Sequence, residues 1–170
     1  MTGTFSVETR VSHSQFWIKD PDAVIALDVY TGLNGLIQTR GGENRATILT
    51  GTAFGNIALT YEPCPTEPAL HLDGWDDVVE VGMVFATTRA GFAGHGFQDD
   101  PITTLPPLSA AGPGSYRVRV HVRGRNEGLD LEDNYGDPVE FYLVQAWPAP
   151  VAPEIRHKLT DRRSEHVRTA

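Results

Sequence analysis

The sequence predicts an all-β protein, a single-domain antiparallel β-sandwich of jelly-roll-like type with a polar C-terminal tail. Apolar and polar residues alternate with a period of two in several short runs, as in half-buried strands. The 17 glycines and 12 prolines favour turns and short strands over long helices. Two runs near the C-terminus, residues 115–122 and 140–146, form the clearest strand pair. A closed barrel is the alternative arrangement of the same strands.

Strands are predicted in order from this patterning. Phe5, Val7 and Thr9 alternate with polar residues, and the pattern continues through residues 14–18. Residues 23–30 are short, apolar and β-branched, which indicates a buried strand, with a short helix as the alternative. The longest apolar run predicts a central strand over 78–88. Further strands are predicted at 35–39, 46–52, 56–62, 115–123 and 139–147, with a short one at 102–105.

The length of 170 residues is suited to one domain rather than two. We expect residues 1–153 to form the β-sandwich and residues 154–170 a polar tail, either frayed or a short helix. Residues 89–114 are rich in glycine and proline, which predicts a long loop that could act as a lid. The acidic stretch 126–138 is also predicted to be a loop.

Composition and targeting signals predict a soluble cytoplasmic protein. A hydrophobic fraction of 40% with 21% charged residues is typical of globular proteins and excludes disorder. The single cysteine, Cys64, excludes an intrachain disulfide. No apolar run approaches the roughly 20 residues of a membrane span, and the N-terminus lacks a signal-peptide pattern.

The formal net charge of −8 bears on the kind of partner. Residues 154–170 are net basic, so the rest of the chain is more acidic than the total. Such a body repels phosphate backbones, and direct nucleic-acid binding is therefore not expected. It attracts a basic protein and accelerates the encounter with it. Acidity that serves solubility alone is the simpler alternative.

Acidic residues with aromatic neighbours are the candidate contacts for a basic protein. One cluster surrounds Trp75, and the other lies within residues 127–137. Exposed aromatic side chains beside carboxylates can anchor a protein partner or stack on a sugar. The candidate binding residues are Asp73, Trp75, Asp76, Asp77, Glu127, Asp130, Glu132, Asp133, Tyr135 and Asp137.

A basic strip is predicted on one face of the strand at 115–123. It consists of Arg117, Arg119, His121 and Arg123, about 7 Å apart along the strand. The acids of residues 126–140 could neutralise it, in which case the strip is structural. Otherwise it could bind an anion such as a carboxylate or a phosphorylated ligand. With Trp75, the strip supports an alternative function as a small-ligand or carbohydrate-binding β-sandwich.

Signals for catalysis are weaker. His71, Asp73, His95 and Asp99 could hold a divalent metal, but no HExxH-type spacing places two ligands on one element. The acidic stretch 129–137 does not match the EF-hand spacing. No nucleophile motif is present, and Cys64 lies between two prolines with no histidine nearby in sequence. The sequence favours a non-enzymatic protein without a cofactor, and a metal-dependent enzyme is a further alternative.

Three short segments resemble the competence J family of small bacterial nuclease inhibitors. They are VSHSQF at residues 11–16, PGSYRV at 113–118 and YLVQ at 142–145. The resemblance implies an acidic bacterial protein that binds and silences a DNA-degrading enzyme. Departures from the family are the loop at 89–114, the acidic stretch and the tail. No functional residues are carried over.

Overall fold

Two β-sheets and two helices make up the described part of the chain. The computed structural model describes residues 3–24, 33–39, 43–94 and 100–170. The larger sheet contains β1 (Phe5–Val11), β5 (Phe54–Pro63), β6 (Asp77–Phe85), β9 (Gly114–Arg123), β10 (Asp133–Asn134), β11 (Phe141–Pro148) and β12 (Ile155–Leu159). The smaller sheet contains β2 (Gln15–Lys19), β3 (Ile37–Gln38), β4 (Arg45–Leu49), β7 (Gly91–Gly94) and β8 (Asp100–Pro101). The helices are α1 (Arg125–Leu131) and α2 (Arg162–Thr169).

The strand order of the larger sheet is β1-β5-β11-β9-β6-β12, with β10 beside β5. β9 and β11 pair antiparallel, with Val120 opposite Val144, which confirms the strand pair predicted from sequence. However, β10 and β11 run parallel to β5. The sheet is therefore mixed, and the prediction of purely antiparallel pairing is wrong. Two strands joined by a short turn must pair antiparallel. β5 and β11 are far apart in the chain, so they can pair in parallel.

Both sheets contribute to a single hydrophobic core. Alternate residues of β5, Ile57, Leu59 and Tyr61, are fully buried. Edge-to-face aromatic contacts join the sheets: Phe16 meets Tyr142 at 5.2 Å between ring centroids, and Tyr61 meets Phe92 at 5.4 Å. The predicted all-β class with two sheets is therefore confirmed, whereas the jelly-roll-like arrangement stays a prediction.

Segments predicted as irregular contain ordered elements. The acidic stretch 126–138 includes most of α1 and all of β10, and residues 154–170 include β12 and α2. The short helix expected near the C-terminus is thus present, but the segment also adds a strand to β6. Residues 102–105 are not a strand, and β8 precedes them. In the long loop, Leu108 and Ser109 are buried against the core.

Some predictions fall outside the described residues. Most of the predicted element at 23–30 does so, as does part of the long loop. In the part of the chain that is described, neither helix is long and apolar enough to cross a membrane.

Candidate functional site

One end of the larger sheet brings most of the predicted binding residues together. β5 and β11 begin at this end, and β9, which is antiparallel to both β11 and β6, finishes there. The helix α1 follows β9 immediately, and β10 pairs with the first residues of β5. Residues from two distant parts of the sequence, 73–77 and 127–137, therefore lie at the same end of the sheet, which we call the α1 end.

Arg125, the first residue of α1, anchors this end from inside. Its fully buried guanidinium forms a two-point ion pair with Asp161, at 2.7 Å from Nε and 2.9 Å from Nη2. Nη2 also lies 3.1 Å from Asp77 Oδ2, and Nη1 donates to the carbonyls of Gly35 and Leu49. Burial lowers the pKa of Arg125, but the Asp161 and Asp77 carboxylates outweigh burial and raise it. The guanidinium thus stays charged and holds α1, α2 and both sheets together.

A second buried network, centred on the Glu140 carboxylate, fixes the chain around residues 51–52. Its Oε1 accepts hydrogen bonds from Gly51 N at 2.9 Å and from the Tyr142 hydroxyl at 2.7 Å. Its Oε2 accepts hydrogen bonds from the backbone N–H and the hydroxyl of Thr52. Burial and the Glu140 carboxylate raise the pKa of Tyr142 well above its ordinary value, so the phenol remains a donor.

α1 approaches this carboxylate so closely that only glycine fits at Gly128. A Cβ there would collide with the Glu140 carboxylate and lie 3.0 Å from Thr52 N. At the end of the helix, Glu132 has a positive φ of 62°, which is rare for a residue with a side chain. Its carbonyl accepts a hydrogen bond from Ala53 N at 2.6 Å. The chain thereby leaves α1 in a fixed direction and enters β10.

The outer surface of this segment is exposed and mostly acidic. We call it the acidic face; it comprises Glu127, Asp130, Glu132, Asp133, Tyr135 and Asp137, all of which are exposed. Asp130 forms an exposed ion pair with Arg162 at 2.8 Å. Among the described residues, no ion pair involves the other four acids of the face. Its aromatic member, Tyr135, is 59% exposed, and the neighbouring Leu131 is 49% exposed.

The cluster around Trp75 divides into exposed and buried members. Asp73 is exposed, whereas Asp76 accepts a hydrogen bond from Gly124 N at 2.9 Å, next to the start of α1. Trp75 is half-buried, with its ring 5.4 Å from that of His121. Asp77 is fully buried in the Arg125 network and accepts hydrogen bonds from the Thr160 and Asp161 amides. Its carboxylate therefore cannot form part of a binding surface.

The basic strip is buried for three of its four residues. Arg117 and Arg119 both bond Glu80 on β6, at 2.9 and 3.0 Å. Arg117 also donates to the Ala152 and Pro153 carbonyls, and Arg119 to that of Pro68. Arg117 and Arg119 are thus engaged by a carboxylate on a neighbouring strand and by backbone carbonyls, and not by the acids that follow the strip in sequence.

Glu80 is ionised at the centre of this cluster. Burial raises the pKa of Glu80, but hydrogen bonds from His157, Arg117 and Arg119 outweigh burial and lower it. Arg123 is the exposed member of the strip, and its guanidinium lies 4.2 Å from the centroid of the Phe141 ring. The geometry does not support an anion site that requires Arg117 and Arg119 to be free.

His121 is also engaged within the protein. Its Nδ1–H donates to the Leu143 carbonyl at 3.0 Å. Burial lowers the pKa of His121 to about 4, helped by the nearby charges of Arg119 and His157. The imidazole is therefore neutral near pH 7.

The metal alternative gains no support from the described residues. In that part of the chain, no group of three or more His, Cys, Asp or Glu residues is arranged to hold a metal. His71 and Asp73 are exposed, whereas His95 and Asp99 lie outside the described residues.

Sequence reasoning missed the residues that build this end. Arg125, Asp161 and Ser164 lie in polar stretches where nothing distinguishes a buried charge from an exposed one. For the other buried cluster, around Glu80, the sequence contained one signal. Glu80 interrupts the apolar strand β6, where a charged side chain must be paired. Trp17 on β2 and Trp147 on β11 are both buried.

Comparison with solved structures finds the same architecture in two other proteins. One is ComJ of Bacillus subtilis, described as an inhibitor of the DNA-degrading activity of NucA. It superposes with a TM-score of 0.59 at 11% identity, over 88% of this chain and 99% of ComJ. The fold is similar to that of ComJ. The other is the product of crocagin biosynthetic gene J, with a TM-score of 0.55 at 12% identity and the same coverage.

The likeness to ComJ confirms the resemblance inferred from three short sequence segments. It concerns the fold, since identity is too low to carry over residues. No protein-family model matches the chain, and no curated protein matches its sequence.

Proposed function

We propose that this protein is a non-enzymatic inhibitor that binds a basic nuclease through its acidic face. The observation that carries the proposal is that face itself, five exposed carboxylates around exposed Tyr135 and Leu131. A nuclease presents a basic groove to its substrate, and an acidic surface is complementary to that groove. The fold shared with ComJ supports a partner of this class.

The support beneath the face suits this role. The Arg125 and Glu140 networks are buried and hold α1 from below. A surface fixed before binding loses less conformational entropy when it meets its partner. Carboxylates on a rigid support also steer a basic protein at long range. Asp73 and Trp75, at the same end of the sheet, would extend the contact.

Charge reversal on the acidic face tests the proposal. The protein would be used as bait in a lysate of its source organism, and the captured nuclease would be assayed for DNA degradation. We expect combined Asp133→Lys and Asp137→Lys to slow association at least about tenfold and to weaken inhibition. Asp22→Lys with Glu67→Lys is the matched control, since both residues are exposed and the net change in charge is the same.

The aromatic part of the face has its own variant. Tyr135→Ala should weaken inhibition about tenfold or more, mainly through faster dissociation, as for an anchor residue in an interface. Capture that persists unchanged in 1 M salt would contradict charge-led binding. Equal inhibition by the acidic-face variant and its control would contradict the assignment to this face.

A further inference from the structure

The end of the larger sheet opposite to the α1 end contains an apolar pocket of about 220 Å³. β5 and β11 finish there and β9 begins, roughly 30 Å along β5 from Phe54. Its walls are four prolines, three alanines and Leu108, together with the side chains of Tyr61, Cys64 and Tyr116. Engineered apolar cavities of about 150 Å³ bind benzene, so this volume suffices for a single-ring molecule.

One polar group in the wall has no partner. Tyr61 is fully buried, and within the described part of the chain its hydroxyl forms no hydrogen bond. Buried hydroxyls are nearly always satisfied, because leaving one unpaired destabilises the fold. The neighbouring Tyr116 hydroxyl is already engaged, since it donates to the Gly112 carbonyl at 2.6 Å. Tyr61 is therefore a donor that none of the described residues satisfies.

The electrostatics of the pocket favour an uncharged ligand. None of the described residues that line it is acidic or basic. Burial, reinforced by Cys64 and Tyr116, raises the pKa of Tyr61, so its hydroxyl stays protonated and can donate. Burial and the adjacent Glu62 raise the pKa of Cys64 to about 11, so the thiol is neutral and acts as an apolar wall.

We propose that this pocket binds a neutral single-ring aromatic molecule whose oxygen acceptor receives the hydrogen bond of the Tyr61 hydroxyl. Small side-chain movements in the wall, which are common on binding, open the buried hydroxyl to the ligand. The ring would pack on the proline and tyrosine walls, where flat apolar surfaces meet. The site lies at the far end of the sheet from the acidic face and does not depend on the proposed inhibition.

The site is tested by titrating the full-length protein with three matched probes and monitoring its backbone amide chemical shifts by NMR. Acetophenone has the ring and a carbonyl acceptor, ethylbenzene lacks the acceptor, and benzoate carries a charge. We expect acetophenone to shift Cys64, Leu108, Ala111 and Ala146 saturably, with a dissociation constant below about 5 mM. Ethylbenzene should bind several-fold more weakly, and benzoate should leave these resonances unchanged.

Two variants assign the binding to this pocket. Tyr61→Phe keeps the ring but removes the donor, and it should weaken acetophenone about fivefold to tenfold while leaving ethylbenzene unaffected. Its melting temperature should not fall, because the hydroxyl makes no hydrogen bond to any residue that the structure describes. Ala111→Trp should block the pocket, whereas Val151→Trp, at an exposed position elsewhere, should bind as the wild type does.

Three outcomes would overturn the proposal. They are no saturable shift at the pocket residues, equal affinity of acetophenone for Tyr61→Phe and the wild type, and tighter binding of benzoate than of acetophenone. In the first case, binding of a proline-rich or aromatic peptide would show that the pocket takes a protein side chain instead of a small molecule.

Discussion

His121 illustrates at the scale of one residue how the fold changes the meaning of a sequence signal. In the sequence it belongs to a row of basic residues that suggests anion binding. In the structure it is 2% exposed, donates to the Leu143 carbonyl and lies beside the Trp75 ring. The residue is therefore a neutral part of the sheet rather than a positive contact.

The lowered pKa of His121 predicts a specific loss of stability in acid. The unfolded chain binds a proton near pH 6.5, whereas the folded protein binds it only near pH 4. Stability therefore falls as the pH drops through this interval, by about 2 kcal/mol at pH 5. Glu80 contributes in the same direction but at lower pH, because its pKa is lowered from 4.5.

Urea unfolding at pH 7, 6 and 5 would measure this contribution with His121→Gln, which does not titrate. The variant should lose less stability between pH 7 and pH 5 than the wild type, by about the same 2 kcal/mol. His71→Gln is the control, since it makes the same replacement at an exposed position. Parallel curves for the wild type and His121→Gln would contradict the assignment.

At the scale of elements, the position of α1 depends on a charge that is completely buried. Seven residues are too few to form a stable helix alone, so tertiary contacts must hold it. Arg125 provides them through Asp161, Asp77 and two carbonyls. Without Arg125, two carboxylates would remain buried without a cation.

Arg125→Met should accordingly destabilise the protein by roughly 3–5 kcal/mol. Arg162→Met is the matched control, because Arg162 of α2 forms an exposed ion pair with Asp130 of α1 and its loss should cost less than about 1 kcal/mol. The free energy of unfolding from urea titration at pH 7 compares the two. Similar small losses for both variants would show that the buried network does not hold α1.

For the whole molecule, the question is whether residues 154–170 are an appendage. The division into a β-sandwich of residues 1–153 and a tail of residues 154–170 was predicted from composition and stays a prediction. Several contacts indicate integration: β12 extends the larger sheet, and Asp161, Ser164 and Val167 are buried. Arg125 loses its main counter-ion if these residues are removed.

We therefore expect a chain truncated after residue 153 not to fold cooperatively. It should lose near-ultraviolet circular dichroism and show no sharp melting transition, because it lacks β12, α2 and the Asp161 carboxylate. Truncation after Arg168, which removes only exposed Thr169 and Ala170, should melt within a few degrees of the full chain. A stable, cooperatively melting 1–153 fragment would support the two-part division instead.

The sequence by itself determined the β class, the principal strand pair and the resemblance to the competence J family. It could do so because alternation of apolar and polar residues is a local property that the side-chain period of a strand imposes directly. The exposure of the acidic side chains within residues 127–137 could be predicted from the high density of charge there.

Only the tertiary structure decided which charges are available for binding. Asp77 follows exposed and half-buried residues in the sequence but is buried beside Arg125 and Asp161, while Glu80 on the next strand forms ion pairs with both Arg117 and Arg119. These partners are separated by more than 30 residues, and no local pattern encodes such pairing. The parallel pairing of β11 with β5 depends likewise on how distant segments meet, and it brings the acidic face and the Trp75 cluster to one end of the sheet.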